Sequence, residues 1–381
     1  MKVPFAKPFF SIEDEDEILL GIRTVLRSGW LTSGKNVQQL EDEFAKLVGT
    51  RFAVAVNSCT AALHSILISL NLKPTDEVLV PSNTFVATAN SVLYTGAKPV
   101  FVDSDLYTFN MSPKDCEKKI TPRTRAIIAV HLAGNPCDMK RLSEIAHDHG
   151  LDLVEDCAHA HGSKFQGINC GSFGTAGAFS FYATKVVTAC EGGLITTDNA
   201  ELAEKAKRIR NQGRGGYGPQ EITDFGYNYR MSDVHAVIGL SQLRHLSKFV
   251  HQRQQIAANY DALLSKTKWI RTQKINDADT CSYYVYIVRL AETAPIPRHE
   301  LMKKLEEKGV GTSVLYHPAH NQPLYRQMLA EAPSCPVAVE LGSNTLALPM
   351  YNGMSNDEFD YVKAKWKETI EPLVEQYAST N

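Results

Sequence analysis

Two residues in the stretch 151–198 combine reactive side chains with a placement that suits catalysis. Asp156 ends a short apolar run, and Lys185 follows a second run that closes with the letters FSFYAT. A short buried strand that delivers an acid at its carboxyl end is where open α/β sheets usually bind ligands. A lysine among small and aromatic residues is poorly solvated, which favours the neutral amine that attacks carbonyl groups. The sequence therefore predicts carbonyl chemistry at one edge of a sheet.

An acid and an amine of this kind are what pyridoxal phosphate (PLP) chemistry needs, one for the pyridinium nitrogen and one for a Schiff base. Phe85, just after the second predicted strand, is placed to stack on a flat ring. The segment NSCTAAL opens a helix whose backbone N–H groups and hydroxyls suit a phosphate. Each feature alone also fits a core phenylalanine, an ordinary N-cap, a surface acid or a solvated lysine. Their combination on strands of one sheet favours a PLP site.

The surrounding pattern predicts the elements that position these residues. Strand-like runs occur at 53–56, 77–80, 99–102, 126–130, 151–154, 177–181 and 193–197. Helical stretches separate most of them, at 60–71, 84–95, 112–119, 138–149 and 199–211. This alternation predicts an α/β fold with a mostly parallel, doubly wound sheet of about seven strands and helices on both faces.

The C-terminal part of the chain has a different pattern. A long helical region from 232 to about 266 leads out of the first domain. It is followed by a strand-like run at 281–290, a helix at 298–308 and a closing helix at 356–377. We therefore expect a large α/β domain over residues 1–245 and a smaller α+β domain over residues 246–381.

Composition excludes several classes of function. The 381 residues include 40 Lys and Arg against 42 Asp and Glu, a formal net charge of −2, which argues against a nucleic-acid or membrane-surface binder. No apolar run approaches the ~20 residues that span a bilayer, and the acidic N-terminal segment lacks a signal peptide's apolar core. The eight cysteines are scattered without a CxxC pair, which is typical of reduced thiols. We expect a cytoplasmic protein with small-molecule partners, no nucleic acid and no membrane.

Three other kinds of site have weak support. His159 and His161 lie at metal-ligand spacing, as does a second pair in AHDHG, but no cysteine or carboxylate cluster with zinc spacing accompanies them, and we expect no metal. Gly171, Gly174 and Gly177 are spaced GxxGxxG and precede a strand, where a dinucleotide-binding loop needs GxGxxG and a helix. A P-loop is excluded because GxxxxGK[ST] is absent from the sequence.

Many motifs along the chain resemble, in order, those of the DegT/StrS family of PLP-dependent sugar aminotransferases, which have the aspartate-aminotransferase fold (fold type I). They are SGWLTSGKNVQQLEDEFAKLVG, NSCTAALHS, DEVLVPSNTFVATANSVLYTGAKPVFVD, HLAGNPCDM, EDCAHAHGS, SFYATK with EGG, GYNYRMSDVHAVIGLSQL and YHPAHNQPLY. The likeness covers nearly the whole chain. It implies a PLP-dependent transferase of fold type I.

The resemblance implies roles for the residues at the matching positions. Lys185 would hold the cofactor as a Schiff base and then shuttle the proton, and Asp156 would pair with the pyridine nitrogen. His159 would lie beside the ring, where many relatives have glutamine and some histidine, and Phe85 would stack on it. The phosphate would be bound by Thr60, Ala61 and Ser180.

The resemblance also implies contacts to a second subunit and to the substrate. Asn228 would reach the phosphate of the neighbouring subunit, which implies a homodimer with shared active sites. Tyr182 and His320 fall where relatives contact the sugar substrate.

The implied reaction moves an amino group from an amino acid, glutamate in the family, to a keto-sugar. The expected acceptor is a nucleotide-linked 3- or 4-keto-6-deoxyhexose in amino-sugar biosynthesis, for example for lipopolysaccharide. A sister group of dehydratases has histidine in place of the lysine, so Lys185 favours transamination. Cys59 and Cys190 depart from the glycines common in relatives, and we expect altered packing there without loss of chemistry.

Three alternatives remain open. The first is an aminotransferase for a cyclitol or another non-nucleotide keto-sugar, which the segment EDCAHAHG also resembles. The second is a regulatory protein that keeps the fold without catalysis, against which the presence of both Lys185 and Asp156 argues. The third, a nicotinamide oxidoreductase, lacks its glycine fingerprint.

Overall fold

The computed structural model describes residues 1–215, 221–329, 331 and 333–380, the last six of these by backbone alone. The α-helices are α1 (Ile12–Ser28), α2 (Lys35–Val48), α3 (Cys59–Ser69), α4 (Val86–Tyr94), α5 (Pro113–Lys118), α6 (Met139–His149), α7 (Ala200–Ile209), α8 (Asp233–Arg244), α9 (Leu246–Leu264), α10 (Arg298–Glu307), α11 (Pro323–Met328), α12 (Pro336–Asn344) and α13 (Asn356–Thr380). The β-strands are β1 (Phe52–Val56), β2 (Glu77–Pro81), β3 (Lys98–Val102), β4 (Thr124–Val130), β5 (Asp152–Asp156), β6 (Lys164–Phe165), β7 (Ile168–Asn169), β8 (Ala176–Ser180), β9 (Gly193–Thr197), β10 (Ile270–Thr272), β11 (Tyr286–Leu290) and β12 (Thr345–Leu348).

The central sheet has seven strands in the order β1-β9-β8-β5-β4-β2-β3. The four neighbouring pairs β3-β2, β2-β4, β4-β5 and β5-β8 are parallel, whereas β9 runs antiparallel to both β8 and β1. Because the carboxyl ends of the parallel strands meet at one edge, the loops that follow them are brought together. The predicted mostly parallel α/β sheet is confirmed.

Alternating side chains of the strands fill a core on each face of this sheet. In β1, Ala53 and Ala55 pack on one face with Phe44 of α2. Val54 of the same strand packs on the opposite face with Ile66 of α3. The two faces are both covered by helices, which is why the strands read as near-continuous apolar runs.

The N-terminus of α3 has a clear local signal in the sequence. Ser58 has an extended backbone and its side chain accepts a hydrogen bond from the Ala61 amide, so it is the N-cap of α3. Serine is among the preferred N-cap residues because its oxygen satisfies one of the first helical N–H groups. The turn between β1 and α3 is therefore fixed by the sequence at that point.

The C-terminal part contains a three-stranded antiparallel sheet in the order β10-β11-β12. Its core includes Trp269 and Trp366, and Val3 from the N-terminus also packs there. The helix predicted over 232–266 is divided at His245, whose side chain hydrogen-bonds Asp14. The expected α+β arrangement is found, and the domain boundary at residue 246 stays a prediction. Within the described residues, no helix has both the length and the apolar character required to cross a bilayer.

Candidate active site

The chemically active residues meet where strands of the central sheet end. Asp156 is the last residue of β5, Ser180 is the last of β8, and Gly193 begins the antiparallel β9. A cavity of about 380 Å³ lies at this edge. Its walls are formed by Ser58, Cys59, Thr60, Leu63, Phe85, Ala87, Thr88, Asp156, Ala158, His159, Ser180, Tyr182, Lys185, Glu191, Gly192, Tyr284 and Tyr316. A larger groove of about 770 Å³ beside β10 contains none of the residues predicted to do chemistry.

Asp156 presents a buried carboxylate with room for one more partner. Its Oδ2 accepts from the Thr88 hydroxyl at 2.8 Å and its Oδ1 accepts from the Ala158 amide at 3.1 Å. Burial raises the pKa of Asp156, while these two hydrogen bonds and the Lys185 charge act in the opposite direction. An ionised carboxylate has about four lone-pair sites, so Asp156 can still accept from a protonated ring nitrogen.

Lys185 lies in the loop between β8 and β9, against an aromatic ring. Its Nζ is 4.2 Å from the centroid of the Tyr284 ring, close enough for a cation–π interaction. The loop is held from two sides. The Thr184 and Tyr284 hydroxyls are hydrogen-bonded at 3.1 Å, and the Asn352 side chain donates to the Val186 carbonyl at 2.8 Å. The amine is thus positioned by residues from the C-terminal part of the chain.

His159 is buried in the cavity wall and stacks on the same tyrosine. The His159 and Tyr284 ring centroids are 4.4 Å apart, with an interplanar angle of 26°. Burial, followed by the Lys185 charge, lowers the pKa of His159 well below its ordinary value. The imidazole is therefore neutral at physiological pH and offers one donor and one acceptor.

One end of the cavity has the chemistry of a phosphate site. The amides of Cys59 and Thr60 begin α3 and precede the first intrahelical hydrogen bonds. The Thr60 and Ser180 side chains lie in the same wall. Gly193 packs closely here, since a Cβ at this position would lie 2.4 Å from the Ser58 carbonyl. Helix-terminal amides and hydroxyls suit a phosphate dianion.

Phe85 and Tyr316 form an aromatic wall of the cavity. Phe85 is the N-cap residue of α4 and is 56% exposed. It is therefore not a buried core phenylalanine, which the sequence alone had left possible. The Tyr316 ring centroid is 5.6 Å from that of Phe85, with the two planes tilted by 49°. A flat ring can stack on this exposed face of Phe85.

Three predicted residues are placed differently from the others. The Ala61 amide already donates to Ser58 Oγ at 3.1 Å, so the phosphate-site amides are those before it in the helix. Asn228 is exposed and does not line the cavity of its own chain. His320 is buried outside the cavity wall and hydrogen-bonds Ser82, which opposes a direct contact with a substrate there.

Sequence reasoning missed several residues of the wall. Thr88 and Ala158 hydrogen-bond Asp156, and Tyr284 and Tyr316 contact His159 or Lys185. Thr88 stands in the motif SNTFVATAN and would have been found by asking what donates to a buried acid. The two tyrosines come from distant parts of the chain and carry no local signal.

One buried cluster has the residue types of a metal site. His131, Glu155 and Cys157 form it, with their ligand atoms within 4.8 Å of one another. The ligand atoms of His131 and Glu155 are engaged in hydrogen bonds, however. His131 donates to Glu155 and accepts from the Cys137 amide, and Glu155 also accepts three amides of the segment 171–174. The cluster therefore fixes the loop before β8 by hydrogen bonds.

Comparison with known proteins gives consistent matches over almost the full length. The family model of the DegT/DnrJ/EryC1/StrS aminotransferase family matches residues 12–367. The chain is 38% identical over 373 residues to the spore coat polysaccharide biosynthesis protein SpsC of Bacillus subtilis, covering 94% of this chain and 95% of that protein.

Solved structures are also similar to this one, and two of them show the extent of the likeness. The PLP form of Spr1654, a sugar aminotransferase from Streptococcus pneumoniae by its description, has a TM-score of 0.91 and 29% identity, covering 98% of this chain and 100% of that chain. DesI, crystallised in the presence of its TDP-sugar product, has a TM-score of 0.90 and 30% identity, covering 100% of this chain and 96% of that chain.

Proposed function

The chain belongs to the DegT/DnrJ/EryC1/StrS aminotransferase family, and from this premise we propose a specific reaction for it. The chain is an aminotransferase. We propose that it uses PLP to move an amino group from an amino acid, glutamate, to a nucleotide-linked 3- or 4-keto-6-deoxyhexose in amino-sugar biosynthesis. The observation that carries this proposal is that Lys185 and Asp156 face one cavity whose far end is the N-terminus of α3.

The cavity residues fit the cofactor by their chemistry. Asp156 would pair with the ring nitrogen, because its carboxylate is buried and has an acceptor site left. Phe85 and His159 would flank the ring. The phosphate would be held by Thr60, Ser180 and the first amides of α3. Bound PLP supplies an electron sink for removal of the proton from the carbon that bears the amino group.

The protein's own residues supply position and proton transfer. Lys185 Nζ would be the group that holds the cofactor, and the same amine would take and return the proton of the substrate carbon. Tyr284 limits the positions of this amine, because its ring lies 4.2 Å from Nζ. Holding the amine beside the reacting carbon lowers the barrier by converting proton transfer into an intramolecular step.

The substrate assignment is supported by relatives. SpsC acts in spore coat polysaccharide biosynthesis, and DesI was crystallised with a TDP-sugar product. Tyr182, 48% exposed at the cavity wall, is placed to contact a sugar. The second candidate, a cyclitol or another non-nucleotide keto-sugar, rests on the segment EDCAHAHG.

We also propose that two chains share their active sites. Asn228 is exposed in a segment where Phe225 is 95% exposed and Tyr227 37% exposed. Exposed aromatic side chains in one segment favour an interface there, and a second copy would bring Asn228 to the partner's phosphate site. The eight free thiols, all within the described residues, support a reducing compartment such as the cytoplasm.

The test is a pair of half-reactions followed separately. Purified protein loaded with PLP is mixed with ¹⁵N-glutamate, freed of glutamate, and then given a panel of nucleotide-linked 3- and 4-keto-hexoses and keto-cyclitols. The proposal predicts transfer of ¹⁵N to a nucleotide-linked sugar. Transfer to a cyclitol alone selects the second candidate. A protein that neither takes up ¹⁵N from glutamate nor passes it to any acceptor contradicts the proposed function.

A further inference from the structure

Three groups at the cavity wall form a hydrogen-bonded chain whose direction is fixed. The Ala133 amide donates to His159 Nδ1 at 3.2 Å. On the other side of the ring, His159 Nε2 lies 3.1 Å from the Tyr316 hydroxyl. A neutral imidazole has one donating and one accepting nitrogen. Because an amide N–H can only donate, Nδ1 is the acceptor and Nε2 carries the proton.

The surroundings of His159 keep it in this state. The side chain is only 4% exposed, and the stacked Tyr284 ring fixes its plane. A charged imidazolium would direct an Nδ1–H at the Ala133 N–H, which has no lone pair to accept it. Burial and the charge of Lys185 also lower the pKa of His159. The Nε2–H donor is therefore the stable form.

It follows that the Tyr316 oxygen accepts from His159 and keeps its own proton for another partner. Burial raises the pKa of Tyr316 well above its ordinary value, so the hydroxyl stays protonated. Among the described residues, His159 is the hydrogen-bond partner of this hydroxyl. Tyr316 lines the cavity, and its ring is held beside Phe85.

We propose that Tyr316 is a specificity-determining residue whose hydroxyl donates a hydrogen bond to an oxygen atom of the bound substrate. This inference rests on the proposed aminotransferase function and adds a residue to it. The acceptor is a carboxylate oxygen of the amino acid or a hydroxyl or carbonyl oxygen of the keto-sugar. Both share the chemistry of an oxygen acceptor, and the two half-reactions distinguish them.

The first test is Tyr316→Phe, which keeps the ring against Phe85 and removes only the hydroxyl. Loss of one hydrogen bond to a substrate oxygen is expected to lower kcat/KM about 10- to 100-fold in the half-reaction of the contacted substrate. A loss confined to glutamate assigns the carboxylate, and a loss confined to the keto-sugar assigns the sugar. Unchanged kcat/KM in both half-reactions overturns the proposal.

The matched control is Tyr325→Phe. Tyr325 is buried outside the cavity and its hydroxyl donates to Asn90 at 2.5 Å. This variant loses an equivalent buried hydrogen bond, and its activity in both half-reactions is expected to stay within about twofold of the wild type. A loss as large as that of Tyr316→Phe would mean that the effect is on folding, which also overturns the proposal.

The second test reads the chain of hydrogen bonds without any reaction. Histidine-selective ¹⁵N NMR of the full chain, with His159 assigned through His159→Gln, should show a neutral Nε2–H tautomer for His159 at pH 7. A Nδ1–H tautomer or an imidazolium would reverse the chain and refute the inference. If the NMR result holds but the wild type transfers no amino group, the proposed function has failed, and the substrate role of Tyr316 fails with it.

Discussion

Replacing Thr88 by valine tests how the buried carboxylate of Asp156 is maintained. Thr88 is 1% exposed and Asp156 is 5% exposed. The Thr88 hydroxyl also lies 2.8 Å from that of Thr84. Because Thr88 donates to Asp156, Thr84 must donate to Thr88. Valine has nearly the shape of threonine, so Thr88→Val removes this relay while keeping the packing.

The magnitude follows from the charge of the acceptor. A hydrogen bond to an ionised group contributes about 1.5–3 kcal/mol, and one to a neutral group about 1 kcal/mol. Thr88→Val should therefore lower the free energy of unfolding by about 1.5–3 kcal/mol when Asp156 is ionised. The difference of about 1–2 kcal/mol between the two protonation states corresponds to a further rise of about one unit in the pKa of Asp156.

The pH dependence has a definite sign. Burial raises the folded-state pKa of Asp156, so its ionisation opposes folding, and the Thr88 bond reduces that cost. The destabilisation by Thr88→Val should be complete at about pH 8 and should shrink as the pH falls through the pKa of Asp156 in the variant and then in the wild type. Urea unfolding of protein stripped of cofactor, at about pH 8 and stepwise down to about pH 4, measures this difference.

The Asp156→Asn background provides the control. There the acceptor is a neutral amide, so Thr88→Val should cost about 1 kcal/mol, independent of pH. A cost that is the same at both ends of the pH range, or is undiminished in the Asp156→Asn background, would refute the reasoning.

Two further predictions concern packing beside the site. Gly193→Ala places a Cβ 2.4 Å from the Ser58 carbonyl. Fluorescence titration should therefore show PLP binding that is at least about tenfold weaker. The control is Gly239→Ala, whose Cβ would lie 3.3 Å from Leu40 and which should bind PLP as the wild type does. His161 is 1% exposed and its two ring nitrogens have no hydrogen-bond partner among the described residues, so His161→Leu should raise the free energy of unfolding by about 1–2 kcal/mol at pH 7. Burial lowers the pKa of His161 to about 3. The unfolded wild type therefore takes up a proton below about pH 6.5 that the folded protein does not, and the wild type loses stability there. Urea unfolding should show that the stability gained by His161→Leu is about 1 kcal/mol larger near pH 5.5 than at pH 7. Wild-type PLP affinity for Gly193→Ala, or a less stable His161→Leu protein, would contradict these two accounts.

The sequence was most informative where a local pattern decides the structure. The seven strands of the central sheet are largely buried on both faces and read as short apolar runs, so they could be predicted from the local sequence pattern. Asp156 and Lys185 could be proposed because each follows such a strand. By contrast, α12 ends in the turn-favouring residues Gly342, Ser343 and Asn344 and β12 follows it directly, and the sequence analysis predicted neither element.

Residues that reach the site from a distance could not be predicted in this way. Tyr284 lies in the run CSYYVYIVRL, where alternation suggests a strand but does not say which of its tyrosines meets Lys185. That contact depends on how the smaller sheet packs against the central one, which is a property of tertiary structure. His320 lies outside the cavity wall and bonds Ser82, which the motif could not show because it does not give the direction of the side chain. The roles of the individual site residues stay predictions until they are tested.

The near-visible absorbance spectrum of the purified, PLP-loaded protein, before and after glutamate, tests the central claim most directly. The account predicts a yellow band from cofactor bound covalently to Lys185. Glutamate should bleach this band, and the Lys185→Ala protein should lack it. Lys164→Ala, a lysine outside this cavity, should leave the spectrum unchanged. A wild-type protein that shows no such band after addition of PLP, or a band that persists unchanged in Lys185→Ala, would contradict the assignment of the site.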